Sequence, residues 1–193
     1  GGPLPLDGRD VEGRTTGGAA PSALELPGQE LPEALGTRLI EDLGGRTVSV
    51  YAVNYPASYD FLQSAPLGAA DASGHIQATV ASCPATSIVL GGYSQGAAVM
   101  DVISAVPIPA VGFDSPLPPT APDHVAAIAV FGNPSAKAGL PLTVSGVWGN
   151  RAIDLCLPDD PICDTIGTDV PVHSSYVQNG QTALAADYVA GRV

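Results

Sequence analysis

Cationic side chains are scarce in this sequence. Its 193 residues carry seven Lys and Arg against 19 Asp and Glu, for a formal net charge of −12, and Lys137 is the only lysine. Binding a phosphate backbone requires clustered cations, so a nucleic-acid partner is excluded. Long apolar runs are lacking too. None approaches the roughly 18 residues of a membrane span, and no cationic start with a hydrophobic stretch marks a signal peptide, so the chain reads as a mature, soluble form without a transmembrane segment. Histidine and cysteine number three each. The histidines are far apart, no H-x-x-x-H occurs and the cysteines do not follow zinc spacing, so no metal site is expected. No glycine loop for phosphate is present, and no cofactor is expected. The chemistry must come from the chain's own side chains.

What the sequence does contain is Gly92-Tyr93-Ser94-Gln95-Gly96. The apolar Ile88-Val89-Leu90-Gly91 leads in, and the helix-forming Ala97-Ala98-Val99-Met100-Asp101-Val102-Ile103 leads out. This is the strand, turn and helix context in which a serine hydrolase displays its nucleophile. A tight turn after a buried strand strains the central residue and crowds its neighbours, which is why small Gly92 and Gly96 flank Ser94.

A nucleophilic serine needs a base. In the order serine, acid, histidine, the base lies C-terminal to both partners. That sets aside His75, in a helical-looking stretch, and His124, just before a strand-like run, as surface or structural residues. His173 remains, and is expected to open the final helical segment. For the acid, Cys156-Leu157-Pro158-Asp159-Asp160-Pro161-Ile162-Cys163 brackets two aspartates between two cysteines. A disulfide there would close a ring of about eight residues, contributing roughly 2.5 kcal/mol on the chain-entropy model, and would fix a carboxylate relative to the histidine. On the residues alone Asp159 and Asp160 both qualify, and the loop also reads as an acidic turn stapled for stability alone.

The length suits one domain. Gly1 to Pro27 is rich in Gly and Pro and is expected to be a loosely structured N-terminal segment, leaving 28–193 as a single domain. The periodicity predicts a helix over Glu30 to Leu43 with Leu31, Leu35, Leu39 and Ile40 on one face, then a strand over Thr47 to Val53 and a helix over Gly68 to Ala81. A strand ending at Gly91 and a helix from Gln95 to Ser104 follow. Strands near Ala126 to Phe131 and Arg151 to Leu155 come next, and a helix from about Ser174 to Val189 closes the chain. The fold class is therefore α/β, a three-layer αβα sandwich around a mostly parallel sheet, with the site at the C-terminal strand ends. The proline-rich Pro107 to Pro119 reads as a stiff surface connection.

Taken together, several blocks resemble the cutinases, which are serine esterases of the α/β-hydrolase fold. They are Tyr51 to Ser58, Gly91 to Ala97, Phe131-Gly132-Asn133-Pro134, Cys156 to Cys163 and His173-Ser174-Ser175-Tyr176-Val177, in family order and spacing. The resemblance implies Ser94 as nucleophile, Asp160 as the acid inside the Cys156–Cys163 disulfide loop and His173 as base. It also implies that Gln95 gives its backbone N–H to the oxyanion hole. Arg14-Thr15-Thr16 stands where the family has an Arg-Gly-hydroxyl turn, which makes Thr16 the second oxyanion residue, with Thr15 in place of the glycine. Cys83 resembles a family cysteine whose N-terminal partner is absent here. The loop joining Cys163 to His173 must pass beside the site, so Ile166, Val170 and Val172 are read either as apolar surface for an acyl chain or as half-buried packing. The resemblance implies that Phe61 and Leu62 face them across the cleft, and Tyr93, beside the serine, is taken as a further substrate contact.

The expected function is that of a secreted carboxylic ester hydrolase acting through an acyl-enzyme on short- to medium-chain esters, with cutin, other polyesters and lipids as candidate substrates. A stapled cysteine pair suits an oxidising, extracellular setting. No oligomeric state is implied. Two other readings stay open: an acyltransferase using the same three residues, and a weakly active or inert cutinase-like surface protein.

Overall fold

The computed structural model describes residues 11–12, 30–104 and 117–193. Thr16, nearly all of the N-terminal segment and most of the proline-rich stretch lie outside the described residues. The strands are β1 (Val11–Glu12), β2 (Ser87–Tyr93), β3 (Val125–Phe131) and β4 (Ala152–Leu155). The helices are α1 (Glu30–Asp42), α2 (Phe61–Ser82), α3 (Gln95–Ser104), α4 (Pro134–Lys137) and α5 (Gln181–Ala190). The strands lie in the order β1-β2-β3-β4, all parallel. Tyr93 pairs with Phe131 and Phe131 with Leu155, so three strands finish level with one another.

Parallel strands need both faces covered, and the sequence meets this with unbroken apolar runs whose side chains alternate between two cores. Ile88, Leu90, Ile128 and Val130 pack with α2 and α3 on one face. Val89, Ala127, Ala129 and Phe131 pack with α1 and α5 on the other. The result is the expected three layers. Trp148, fully buried on the α2/α3 face, donates its indole N–H to the Ser104 carbonyl at 2.7 Å and so holds the end of α3.

Several boundaries differ from the sequence expectation, each for a physical reason. α2 begins at Phe61 instead of Gly68, taking in Pro66 and Gly68. Gly68 lies where an added Cβ would sit 3.0 Å from Tyr55 and Val99, so it serves close packing and is no breaker. Pro66 is the sixth residue of the helix, so α2 forgoes one backbone bond there, to the Leu62 carbonyl, and continues through it. Thr47 to Val53 makes only isolated bridges at Val48 and Ala52, and Val50 in its middle is exposed. On α1 the buried stripe is Leu31, Leu35, Leu39, while Ile40 is 54% exposed. The closing helix starts at Gln181, after the Asn179-Gly180 turn, and His173 belongs to a separate 3-10 turn, Val170–Ser174. His75 stacks on Tyr51 at a 3.5 Å centroid separation, and the His124 carbonyl accepts the Ile88 N–H, in keeping with structural places for both.

Removing the Trp148 ring leaves a cavity and an unmet carbonyl at once. Trp148→Ala is expected to cost about 3–5 kcal/mol, read from urea unfolding followed by circular dichroism. A loss below about 1 kcal/mol would show that this face is not packed around the indole.

Candidate active site

Ser94 is the single residue between β2 and α3. Its φ of +54° lies in the left-handed region, a strain of about 1–3 kcal/mol for a residue with a side chain. Hydrogen bonds hold it there. The Ser94 N–H donates to the Phe131 carbonyl at 2.9 Å, and the Ser94 carbonyl accepts from the N–H groups of Ala97 and Ala98 at 3.0 and 3.2 Å. A Cβ on Gly92 would lie 2.4 Å from the Gly96 carbonyl oxygen, so only glycine lets the strand pass the first turn of α3.

The acid loop follows β4 directly. Cys156 and Cys163 form a disulfide with Cα atoms 5.8 Å apart, and Asp160 inside the loop is completely buried. Its Oδ1 accepts the Ile162 N–H at 2.8 Å. Its Oδ2 lies 2.8 Å from His173 Nδ1 and accepts the Tyr176 hydroxyl at 2.6 Å. A carboxylate facing Nδ1 places the ring proton there and leaves Nε2 free to accept another. Asp159 is separate from this centre: exposed and at φ +73°, it takes the Thr168 N–H and hydroxyl on its Oδ1. Lys137 donates to the Pro161 carbonyl at 2.6 Å, tying α4 to the loop.

The strand end of β3 gathers these groups. Gly132, at φ +56°, follows the Phe131 that holds the Ser94 N–H, and a Cβ on it would meet His173 Cε1 at 2.7 Å and Asp160 Oδ2 at 3.3 Å. The imidazole thus lies across a bare backbone beside the Ser94 turn. From the other side Tyr93 stacks on it at 4.8 Å, and the Tyr93 hydroxyl donates to the His173 carbonyl at 2.7 Å. Burial, with the nearby Asp160 charge adding to it, pushes the Tyr93 phenol up to about 12, so it stays a donor.

The other expected site residues fall into two groups. Gln95 is buried, with its side-chain amide donating to the Ser58 carbonyl at 2.8 Å and its Oε1 accepting the Ser64 hydroxyl at 3.2 Å. That fixes the residue to the segment entering α2, where Phe61 and Leu62 are exposed. Ile166 and Val170, on the loop running from Cys163 to His173, are 83% and 69% exposed. Tyr93 and Val172 are half-buried, Val172 in the packed position that was the other reading of its segment. Tyr93 commits its ring and hydroxyl to His173, and Val172 packs against the α1/α5 core. Cys83 is a free, half-buried thiol at the end of α2.

Sequence reasoning passed over Tyr176 and Asn133, although both stand inside the quoted blocks. Their role follows from three-dimensional placement alone. Fully buried Asn133 donates its amide to Asp101 of α3 at 3.3 Å and to Asp154 of β4 at 2.8 Å. Burial pushes the Asp101 carboxyl up to about 6, with the Asp154 charge adding to it and hydrogen bonds from Ser135 and Asn133 opposing. Asp154 is raised for the same primary reason.

An acid whose proton is held more tightly in the folded state stabilises the fold at low pH. Stability contributed at Asp101 is therefore present below about 4 and lost as pH rises towards about 6, by up to ~3 kcal/mol. The difference in urea midpoint between wild type and Asp101→Asn, measured from pH 4 to 7, is expected to swing in favour of the variant as pH rises. A difference constant across that range would contradict a buried, proton-holding Asp101.

A family model described as Cutinase matches residues 20–193. Carboxylesterase Culp1 of Mycobacterium tuberculosis is 48% identical over 172 residues, covering 85% of this chain and 74% of its own length. Phospholipase Culp4 of the same organism is 46% identical over 190 residues, covering 91% of this chain and 83% of its own. Trichoderma reesei cutinase, solved with a C11Y4 phosphonate inhibitor, superposes with a TM-score of 0.68 at 25% identity, over 95% of this chain and 75% of that one. A match running from residue 20 to the end, on a parallel sheet with a serine elbow, places the chain in the cutinase family of serine carboxylic ester hydrolases.

Proposed function

We propose that the chain is an exported esterase that cleaves acyl esters with an apolar acid portion through Ser94, His173 and Asp160. The observation that carries this reading is the convergence at Gly132: the buried Asp160 carboxylate and the His173 ring both lie on it, one residue from the carbonyl that holds the strained Ser94 turn. Ser94 Oγ attacks the ester carbonyl carbon while His173 Nε2 takes its proton. The same proton passes to the leaving alcohol as the acyl-enzyme forms, and water, activated by His173, releases the acid and restores Ser94. Asp160 keeps the imidazole in the required tautomer and stabilises its charged form. The Gln95 backbone N–H, at the start of α3, is the proposed oxyanion donor, with Thr16 as the second.

Exposed apolar side chains stand on the chain segments that lead to this centre, Phe61 and Leu62 at the start of α2, next to the Ser58 and Ser64 that hold Gln95, and Ile166 and Val170 on the run from Cys163 to His173. That supports an acyl chain or a lipid surface as the substrate, in line with the names carboxylesterase and phospholipase borne by the Culp relatives. Water-soluble p-nitrophenyl esters of increasing chain length, together with phospholipid vesicles, test the class. Hydrolysis that rises from acetate to medium-chain esters is expected. Activity confined to acetate would remove the acyl-chain reading.

Ser94→Ala is expected to lose as much as ~10⁶ in turnover with the fold retained, because the covalent route disappears. The two neighbouring aspartates separate by burial. Asp160→Asn is expected to cost about 10⁴ in turnover, by analogy with the serine-protease value. Asp159→Asn is expected to cost less than about threefold, since Asn tolerates a left-handed backbone and Asp159 serves the loop. The opposite ranking in parallel assays would exchange their roles.

A further inference from the structure

We infer that Tyr176 is a positioning residue, which orients the Asp160 carboxylate and tempers its pull on His173. The inference rests on the reading of Asp160 and His173 given above. Nothing in that reading requires a phenol at this place, and yet Tyr176 is buried, with its oxygen 2.6 Å from the same Oδ2 that faces the imidazole.

The direction of the phenol proton follows from its neighbours. The Leu157 N–H donates to the Tyr176 oxygen at 3.2 Å, so that partner occupies a lone pair and leaves the hydroxyl proton to be given away. Two acceptors are within reach: Asp160 Oδ2 at 2.6 Å and Cys163 Sγ at 3.4 Å. The sulfur is in the disulfide and is a weak acceptor, whereas the charged oxygen forms a short, charge-assisted bond. Tyr176 therefore donates to Asp160. Its ring is gripped edge-on by Phe131 at 5.9 Å and Tyr93 at 6.0 Å, so the hydroxyl has little freedom to turn away.

Two consequences follow for the histidine. The carboxylate has one oxygen fixed by Ile162 N–H and the other by Tyr176, which prevents rotation away from Nδ1. The Tyr176 bond also draws charge from the oxygen facing the imidazole, which weakens its attraction for the protonated ring. The titratable groups that face this pair are Tyr93, stacked on His173, and Tyr176 itself. Asp159 and Asp164 are bonded within the loop, Asp159 to Thr168 and Asp164 to the Asp159 N–H, and Lys137 is on the Pro161 carbonyl.

The test is the pH–rate profile of Tyr176→Phe, which keeps the ring and removes the bond. Its kcat is expected to fall about 3- to 10-fold with KM unchanged, and its acidic limb to move to higher pH by several tenths of a unit to about one. Replacing Tyr176 by 3-fluorotyrosine, nearly the same size but a more acidic phenol, strengthens the bond and is expected to move the limb the other way. This second variant serves even if the phenylalanine variant does not fold. Tyr188→Phe, which removes a comparable hydroxyl bond to the Ala152 carbonyl, is expected to leave the limb in place. A limb unmoved by the position-176 variants, or moved equally by Tyr188→Phe, overturns the positioning role while Ser94→Ala remains inactive. Turnover that survives Ser94→Ala overturns the underlying reading, and this inference with it.

Discussion

A carboxylate with no exposure to solvent is the constraint around which the site is arranged. Leaving Asp160 charged inside the protein is costly unless its oxygens are met by donors. The structure meets them with a backbone N–H from Ile162, the Tyr176 hydroxyl and the His173 ring. Each donor comes from a different part of the chain after β4. Satisfying the buried charge therefore forces the disulfide loop, the 3-10 turn and the segment before α5 to meet at one point.

That meeting point is useful because it coincides with the ends of the central strands. Parallel β2 and β3 finish level, so the Ser94 turn and Gly132 lie side by side. The left-handed backbone at Ser94 is stabilised by bonds to β3 and to the first turn of α3, while the acid pair of Asp101 and Asp154 is bridged by Asn133 behind it. The sheet thus supplies rigidity, and the loops supply the chemical groups. Positioning of this kind matters because small displacements of a proton-transferring pair cost large factors in rate.

The parts legible in the sequence were those with local causes. The Ser94 turn could be read because close backbone approach demands glycine at fixed offsets, and the two faces of the sheet because parallel strands need continuous apolar runs. His173 was the candidate left by elimination among three histidines, and the fold sets its ring against the Asp160 carboxylate. The choice of Asp160 over Asp159 did not follow from the residues, since both are aspartates in one turn; burial separates them, and burial is a property of the assembled fold. The start of α2 was misplaced because Pro66 and Gly68 carry the local signal of a break, which packing against Tyr55 and Val99 overrides. Tyr176 was hidden for a related reason. A tyrosine after a histidine is ordinary until the disulfide loop is folded back over it.

The central claim is that Ser94, in a strained turn bonded to Phe131 next to the Gly132 on which His173 lies, is the nucleophile. Its most direct test is treatment with an excess of an organophosphate p-nitrophenyl ester, with intact mass, peptide mapping and residual activity followed together. The account requires one phosphoryl adduct, on the peptide containing Ser94, forming in step with the loss of activity. Inactivation with the adduct on another residue, or full activity with Ser94 modified, would contradict it.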